Sequence, residues 1–268
     1  MSGKELRFRV AIPARYASTR LPGKPLRLLA GRTLLEHVYR RALASGALEV
    51  VIATDDPRIQ AAAEQFGALV CMTSPAHLSG TDRLAEVAQR YAWPEDAIVV
   101  NLQGDEPQMP PALIRQVAAE LEEHPLAGIA TACARIQQAA EVFDPNAVKV
   151  TRDREGFALY FSRAPLPWHR EVFRADGGRP SELPAATAWF RHVGLYAYRV
   201  AVLRRFPQLE PAPLERAESL EQLRALWHGI RIYVAEATEA PAPGVDTEAD
   251  LARVAAELAA SKQQVERG

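Results

Sequence analysis

The sequence predicts an α/β fold, a Rossmann-like, mostly parallel sheet flanked by helices, with a smaller mixed α+β section. Three observations predict it. Apolar β-prone runs alternate with helical periodicities through the first half of the chain, and the segments joining them are too long for hairpins. A basic, proline-bounded stretch follows the first run, in the strand-to-helix position where α/β proteins hold ligands. The texture changes from residue 147 to short strand runs separated by turn residues. We therefore read 1–268 as a single α/β domain with a smaller section at 147–230 within it.

Phe8, Val10 and Ile12 alternate along a first strand. The loop after it, 12–26, reads IPARYASTRLPGKPL and carries Arg15, Arg20 and Lys24, with Pro13, Pro22, Gly23 and Pro25 fixing or freeing the backbone around them. Three held cations beside a helix start suit a polyphosphate, although a solvated basic loop accounts for scattered cations equally well. Two common phosphate loops are excluded: Ser18 stands where a Walker motif needs glycine, and Gly23 is the one glycine of a dinucleotide fingerprint that needs three.

Leu34, Leu35, Val38, Tyr39, Ala42 and Leu43 recur at helical spacing, with Thr33 suited to the N-cap and Gly46 to the stop. A strand at 49–54, a helix opened by Asp56 and Pro57 and running to Phe66, and a strand at 68–72 continue the alternation. Thr54 and Asp55 then end the second strand. After the third, Ser79, Gly80 and Thr81 can cap a helix carrying Leu84, Val87 and Tyr91; as donors at its start they can also face a base or ribose.

The run 97–102 is the most strand-like in the chain and ends in Gln103, Gly104, Asp105, Glu106 and Pro107. A carboxylate at the tip of a buried central strand needs a cation, so Asp105 is a predicted metal ligand. Mg²⁺ suits it better than Zn²⁺, because the donors would be carboxylate, water and phosphate oxygen. Asp246 follows the Pro243-Gly244 turn and precedes a helix; it reads as a second ligand or, with equal weight, as the cap of that helix. A helix at 110–123 and a strand at 129–134 come next. The runs VKVTR, FALYF and HVGLYAY predict a partly antiparallel section inserted into or appended to the sheet. The loop at 165–184 is rich in Arg, Gly and Pro, too polar to pack a core and long enough for a lid or a dimer element.

Composition removes several function classes. A formal net charge of −1 excludes wholesale nucleic-acid binding, so any anion site must be local. Cys71 and Cys133 lie in apolar runs and read as buried thiols of a reducing compartment rather than a disulfide or metal site. No run approaches the ~20 apolar residues of a membrane span, and the N-terminus has no apolar leader core. A soluble cytoplasmic protein with no membrane and no nucleic-acid partner is expected.

The blocks PARYASTRLPGKPL (13–26), SGTDRLAE (79–86), VNLQGDEP (100–107), FDPNAVKV (143–150), ALYFSRAPLPW (158–168), RHVGLYAY (191–198), LEQLRALWHG (220–229) and PGVDTEADL (243–251) occur in order along the chain. Together they resemble the 3-deoxy-manno-octulosonate (Kdo) cytidylyltransferase family. The resemblance implies a fold of the nucleotide-diphospho-sugar transferase type and an enzyme that activates Kdo with CTP, giving CMP-Kdo and pyrophosphate for lipopolysaccharide biosynthesis. It also implies Mg²⁺ as cofactor, CTP and Kdo as small-molecule partners, and a homodimer, with 147–230 serving sugar binding and dimerisation. Other acid-sugar cytidylyltransferases and an enzyme for an amino-substituted Kdo remain alternatives.

By the same resemblance Arg15, Lys24, Asp105 and Asp246 are catalytic, and Asp105 and Asp246 hold the metal. Ala14, Arg15, Arg20, Lys24, Thr54, Asp55, Ser79, Gly80, Arg83, Gln103 and Asp105 bind the nucleotide. Gln103, Arg163, His192, Tyr196, Glu221 and Gln222 bind the sugar. Arg163 can fork onto a carboxylate. Glu221 and Gln222 lie off an apolar helix face made by Leu220, Leu223 and Leu226. His192 and Tyr196 share one strand face, where packing alone also accounts for them. The chain departs from the family's pattern after Trp168, where His169 replaces an acidic residue, and the 165–184 loop is longer.

Overall fold

In a computed structural model, which describes residues 5–17, 21–77, 79–173 and 180–265, β1 (Phe8–Ala14) is a central strand. Both of its faces are apolar: Phe8, Val10 and Ile12 are buried in one layer and Ala11 in the other. A 3-10 turn at Lys24–Leu26 and a ribbon of β2 (Leu28–Leu29) with β3 (Arg32–Thr33) lead to α1 (Leu34–Ala44). Thr33 Oγ1 caps α1 by accepting the Glu36 N–H at 3.1 Å. β4 (Glu49–Thr54), α2 (Pro57–Gln65) and β5 (Leu69–Met72) continue the alternation, with Asp56 Oδ1 capping α2 at the Arg58 N–H, 2.9 Å away.

α3 (Gly80–Arg90) opens on a reciprocal capping box between Ser79 and Asp82, and β6 (Ile98–Asn101), α4 (Pro111–Glu123) and β7 (Ile129–Arg135) follow. From α1 to β7 each expected boundary lies within a residue or so of the observed one, whereas β1 runs two residues into the stretch expected as loop and the β2–β3 ribbon was not expected. Beyond β7 come α5 (Ala139–Val142), β8 (Lys149–Arg152), β9 (Ala158–Ser162), β10 (Phe190–Arg199) and α6 (Val200–Arg205). α7 (Pro213–Glu218), α8 (Gln222–Trp227), β11 (Ile232–Glu236) and α9 (Glu248–Val265) complete the chain.

The strand order is β11-β7-β10-β6-β1-β4-β5. β1 pairs parallel with β4 and β6, β4 with β5, and β7 with β11, whereas β10 runs antiparallel between β6 and β7. Of the two arrangements expected for the antiparallel section, insertion is the one observed. Its longest strand is threaded through the middle of the sheet, and β8 attaches at Phe190 and Arg191, with β9 beside it. α1, α2, α4 and α9 bury their apolar residues on one face of the sheet, and α3, α6 and α8 on the other. The parallel strands β1, β4 and β6 consequently share one carboxyl edge, which gathers the first loop, Thr54-Asp55, the start of α3 and Gln103 to Asp105.

Two further expectations concern the rest of the core. The 165–184 loop, expected to be too polar to pack, supplies Phe173, which is buried with Trp189, Ile136 and Val142 in a small separate cluster. The Trp189 indole N–H donates to the Pro167 carbonyl at 2.8 Å. Cys71 and Cys133 are free and buried. Among the described residues no helix is long and apolar enough to cross a membrane.

Lys149 holds the inserted section together. It is fully buried, and its Nζ donates to the carbonyls of Asp144, Ala147 and Arg163 at 2.7, 2.6 and 2.7 Å. One ammonium thus satisfies three backbone acceptors that water reaches poorly. Lys149→Met should leave them unpaired and lower the unfolding free energy by ~3 kcal/mol or more. A urea titration measures this as a lower midpoint at unchanged slope; an unchanged midpoint would contradict the assignment.

Candidate active site at the carboxyl edge of the sheet

The site is built around Lys24. Gly23 adopts left-handed backbone (φ 66°), which reverses the loop and starts the single 3-10 turn that presents this lysine. Lys24 Nζ donates to Asp105 Oδ2 at 2.8 Å, to Asp246 Oδ1 at 2.9 Å and to the Val245 carbonyl at 3.0 Å. Its side chain is 14% exposed, against 34% for Asp105 and 47% for Asp246, so the ammonium lies beneath carboxylates that open outward. Burial opposes the lysine's charge, but Asp105 and Asp246 outweigh it and hold its pKa above the usual value.

Backbone proximity makes this meeting possible. A Cβ on Gly104 would stand 2.9 Å from the Pro13 carbonyl, so the turn after β6 lies directly against the end of β1 and sets Asp105 beside the first loop. The Val245 N–H donates to the Asp105 carbonyl at 2.9 Å and ties the last loop to the same point. Glu106 adds to the negative field, its pKa pushed up to about 7 by burial and by Asp105 and Asp246. The two readings of Asp246 are separated here. Thr247, not Asp246, caps α9: its hydroxyl accepts the Asp250 N–H at 3.2 Å, and Asp250 Oδ2 accepts the Thr247 N–H at 3.0 Å.

On the side expected to bind the nucleotide, the Arg15 guanidinium donates to the carbonyls of His77 and Ser79, joining the first loop to the start of α3. Ser79 and Gly80 lie at that start, and Ala14 ends β1 alongside. Thr54 and Arg83, both expected at the nucleotide, are fully buried beneath the edge. Arg83 donates to the Thr73 hydroxyl and to Asp55 Oδ2 at 3.0 Å, and Thr54 Oγ1 accepts the Asp56 N–H at 3.2 Å. These groups position the edge from below. Arg20 lies outside the described residues.

A cavity of ≈ 220 Å³ adjoins this edge, lined by Gly80, Thr81, Gln103, Tyr196, Glu221 and Gln222 among others. All six were expected at a substrate site. The Thr81 hydroxyl donates to Glu221 Oε1, joining the start of α3 to the start of α8. Burial raises the Glu221 pKa. Asn101 and Tyr198 also line the cavity and were not singled out from the sequence. Signals for both existed: Asn101 is the one polar residue of its strand, and Tyr198 lies two positions from Tyr196, on the same strand face.

Two residues expected at the sugar, Arg163 and His192, are not among those lining the cavity. Arg163 is committed to the carbonyls of Glu218 at 2.7 Å and Pro145 at 2.9 Å and does not line the cavity. His192 packs tilted against Tyr196, ring centroids 5.2 Å apart, and meets Phe161 edge-on at 5.1 Å. Desolvation by this packing pushes its pKa down to about 3. The Thr131 hydroxyl lies 3.1 and 2.8 Å from the carbonyls of Val193 and Leu195, to which its one proton points, so it accepts from His192 Nε2–H at 3.0 Å. His192 is therefore neutral and packed behind Tyr196, as the packing reading of this strand face allowed.

Comparison with known proteins agrees with this geometry. Residues 10–232 match the family model described as Cytidylyltransferase. The chain is 57% identical over 255 residues to the 3-deoxy-manno-octulosonate cytidylyltransferase of Halorhodospira halophila (strain DSM 244 / SL1), across 95% of this chain and 98% of that one. It is 57% identical over 247 residues to the protein of the same name from Nitrosococcus oceani, across 92% and 95% of the two chains. A solved structure of CMP:2-keto-3-deoxy-manno-octonic acid synthetase complexed with CTP matches with a TM-score of 0.84 at 43% identity, across 95% of this chain and 99% of that chain. The chain belongs to the 3-deoxy-manno-octulosonate cytidylyltransferase family.

Proposed function

We propose that the protein transfers CMP from CTP to the anomeric hydroxyl of Kdo, giving CMP-Kdo for lipopolysaccharide biosynthesis and pyrophosphate. The observation that carries this reading is the contact of one first-loop ammonium with Asp105 and Asp246, beside a cavity walled by hydrogen-bonding groups. The names of the relatives and the CTP in the related structure support the same substrates.

In the reaction the anomeric oxygen bonds to the α-phosphorus, the bond from that phosphorus to the bridging oxygen of the β-phosphate breaks, and the hydroxyl proton leaves to solvent. The chain's main contribution is alignment and charge. Arg15 and Lys24, with Arg20, hold the triphosphate, while Ser79 and Gly80 face the base or ribose at the start of α3. Gln103, Tyr196, Glu221 and Gln222 offer donors and acceptors to the sugar hydroxyls. With Arg163 committed elsewhere and His192 neutral, the sugar's carboxylate falls to the loop cations and the amides of Gln103 and Gln222.

Mg²⁺ fits the donor set. Among the described residues no group of three or more His, Cys, Asp or Glu is placed to hold a metal, but Mg²⁺ characteristically takes one or two carboxylates, with substrate phosphates and water completing its shell. Asp105 and Asp246 already share one cation, the Lys24 ammonium, and would be its protein ligands. When bound, Mg²⁺ neutralises phosphoryl charge and lowers the pKa of the attacking hydroxyl. A cytoplasmic homodimer belongs to the same reading, supported by the exposed Leu159, Trp168 and Trp227 of the 147–230 section.

Asp105→Asn and Asp246→Asn should each lower kcat for pyrophosphate release by ~100-fold or more while leaving Tm close to the parent. Because Thr247 is the cap, an Asp246→Asn protein that melts early yet keeps its activity would contradict the assignment. His192 should stay neutral, its ring NMR signals unmoved between about pH 5 and 8. Its folded pKa of about 3 lies below the ordinary 6.5, so the stability it contributes is complete above 6.5 and is lost as pH falls from there towards 3. His192→Gln should flatten that part of the acid-unfolding curve; an ordinary titration near 6.5 would contradict the buried, neutral ring.

A further inference from the structure

We propose that Lys24 is the resident occupant of the cation seat between Asp105 and Asp246, so that the chain takes a divalent cation there only once the nucleotide's phosphates draw the ammonium away. The proposal rests on the nucleotidyl-transfer reading and adds to it a competition within the chain.

An ammonium has three protons, and Lys24 spends all three, on Asp105, Asp246 and the Val245 carbonyl. None remains for a phosphate, so binding one requires breaking a bond to a carboxylate or to that carbonyl. A divalent ion set between the same carboxylates would stand against the charge on Nζ at contact range, in a partly buried place where like charges repel strongly. Lys24 and the ion therefore exclude one another. The exchange needs only side-chain rotation, because the backbone of Lys24 is held by the left-handed Gly23 before it and Pro25 after it.

Among the described residues, two other cations of the edge are engaged elsewhere. Arg15 is on the carbonyls of His77 and Ser79, and Arg191 is 2.8 Å from Glu141, reaching the cluster through its field on Glu106. A phosphate that accepts the Lys24 protons performs two tasks in one movement: it gains an ammonium and opens two carboxylates to a divalent ion, which it can also ligate. Nucleotide and cation must then strengthen each other's binding reciprocally.

The test is Mn²⁺ binding to the full chain, followed by electron paramagnetic resonance and by Tm, with and without CTP. Without nucleotide, Lys24→Met and Lys24→Gln should each bind Mn²⁺ at least ~10-fold more tightly than the parent and gain Tm on adding it. Arg191→Met, which removes a unit charge nearby without emptying the seat, should change the affinity by less than ~2-fold. Adding Asp105→Asn to Lys24→Met should abolish the gain, and CTP should tighten Mn²⁺ binding more in the parent than in either lysine variant. Equal affinities for the parent and both lysine variants without nucleotide, or an equal gain in Arg191→Met, would overturn the proposal while an Asp105-dependent Mn²⁺ site in the CTP-loaded parent kept the transfer reading intact. Absence of any Asp105-dependent Mn²⁺ site with CTP would overturn both.

Discussion

Opposite charges meet at one point of this molecule, where an ammonium from the first loop, a carboxylate from the tip of a central strand and a carboxylate from the loop before the last helix share hydrogen bonds. The residues involved, 24, 105 and 246, are far apart in the chain, and the fold brings them together. A partly buried carboxylate beside an apolar sheet is costly unless a cation faces it. Close backbone approach supplies that pairing at two glycines: Gly104 lies against the end of β1, and a Cβ on Gly244 would stand 3.2 Å from both the Asp105 carbonyl and Glu106 Oε1. Larger residues there would push the three segments apart.

The antiparallel β10 performs the second organising task. Placed between β6 and β7, it sets Tyr196 opposite Asn101 and Tyr198 opposite Val99, so that a wall of tyrosine adjoins the tip of the strand leading to Asp105. A purely parallel sheet would bring a helix crossover to this place instead. The register break between Val193 and Tyr196 is held by the Thr131 hydroxyl, which donates to the carbonyls of Val193 and Leu195 there. Thr81 and Glu221 then join the start of α3, proposed to face the nucleotide, to the start of α8, proposed to face the sugar. On the proposed reading two substrate places share one wall, the condition under which alignment alone can accelerate a transfer.

Much of this was legible in the residues. Local signals, the alternation of strands and helices and the caps at Thr33, Asp56 and Ser79, carried the elements, and the motif blocks brought most of the cavity together. What stayed hidden was non-local. Threading β10 through the sheet is a matter of strand order, which no local pattern encodes. Arg83 and Arg163 read as available cations, yet their guanidiniums are spent on Asp55 and Thr73 and on backbone carbonyls, commitments set by tertiary packing. The ambiguity over Asp246 was resolvable beforehand, because Thr247 and Asp250 have the three-residue spacing of a capping box and compete for that role.

The central claim is that the carboxyl edge carries one cation seat, filled by Lys24 or by a divalent ion but not by both. Anomalous scattering from crystals grown with CTP and Mn²⁺ tests it most directly. The account predicts a manganese peak touching the carboxylates of Asp105 and Asp246, with Lys24 Nζ moved from between them onto a phosphate oxygen. A peak elsewhere, with Lys24 still bridging the two aspartates, would contradict it.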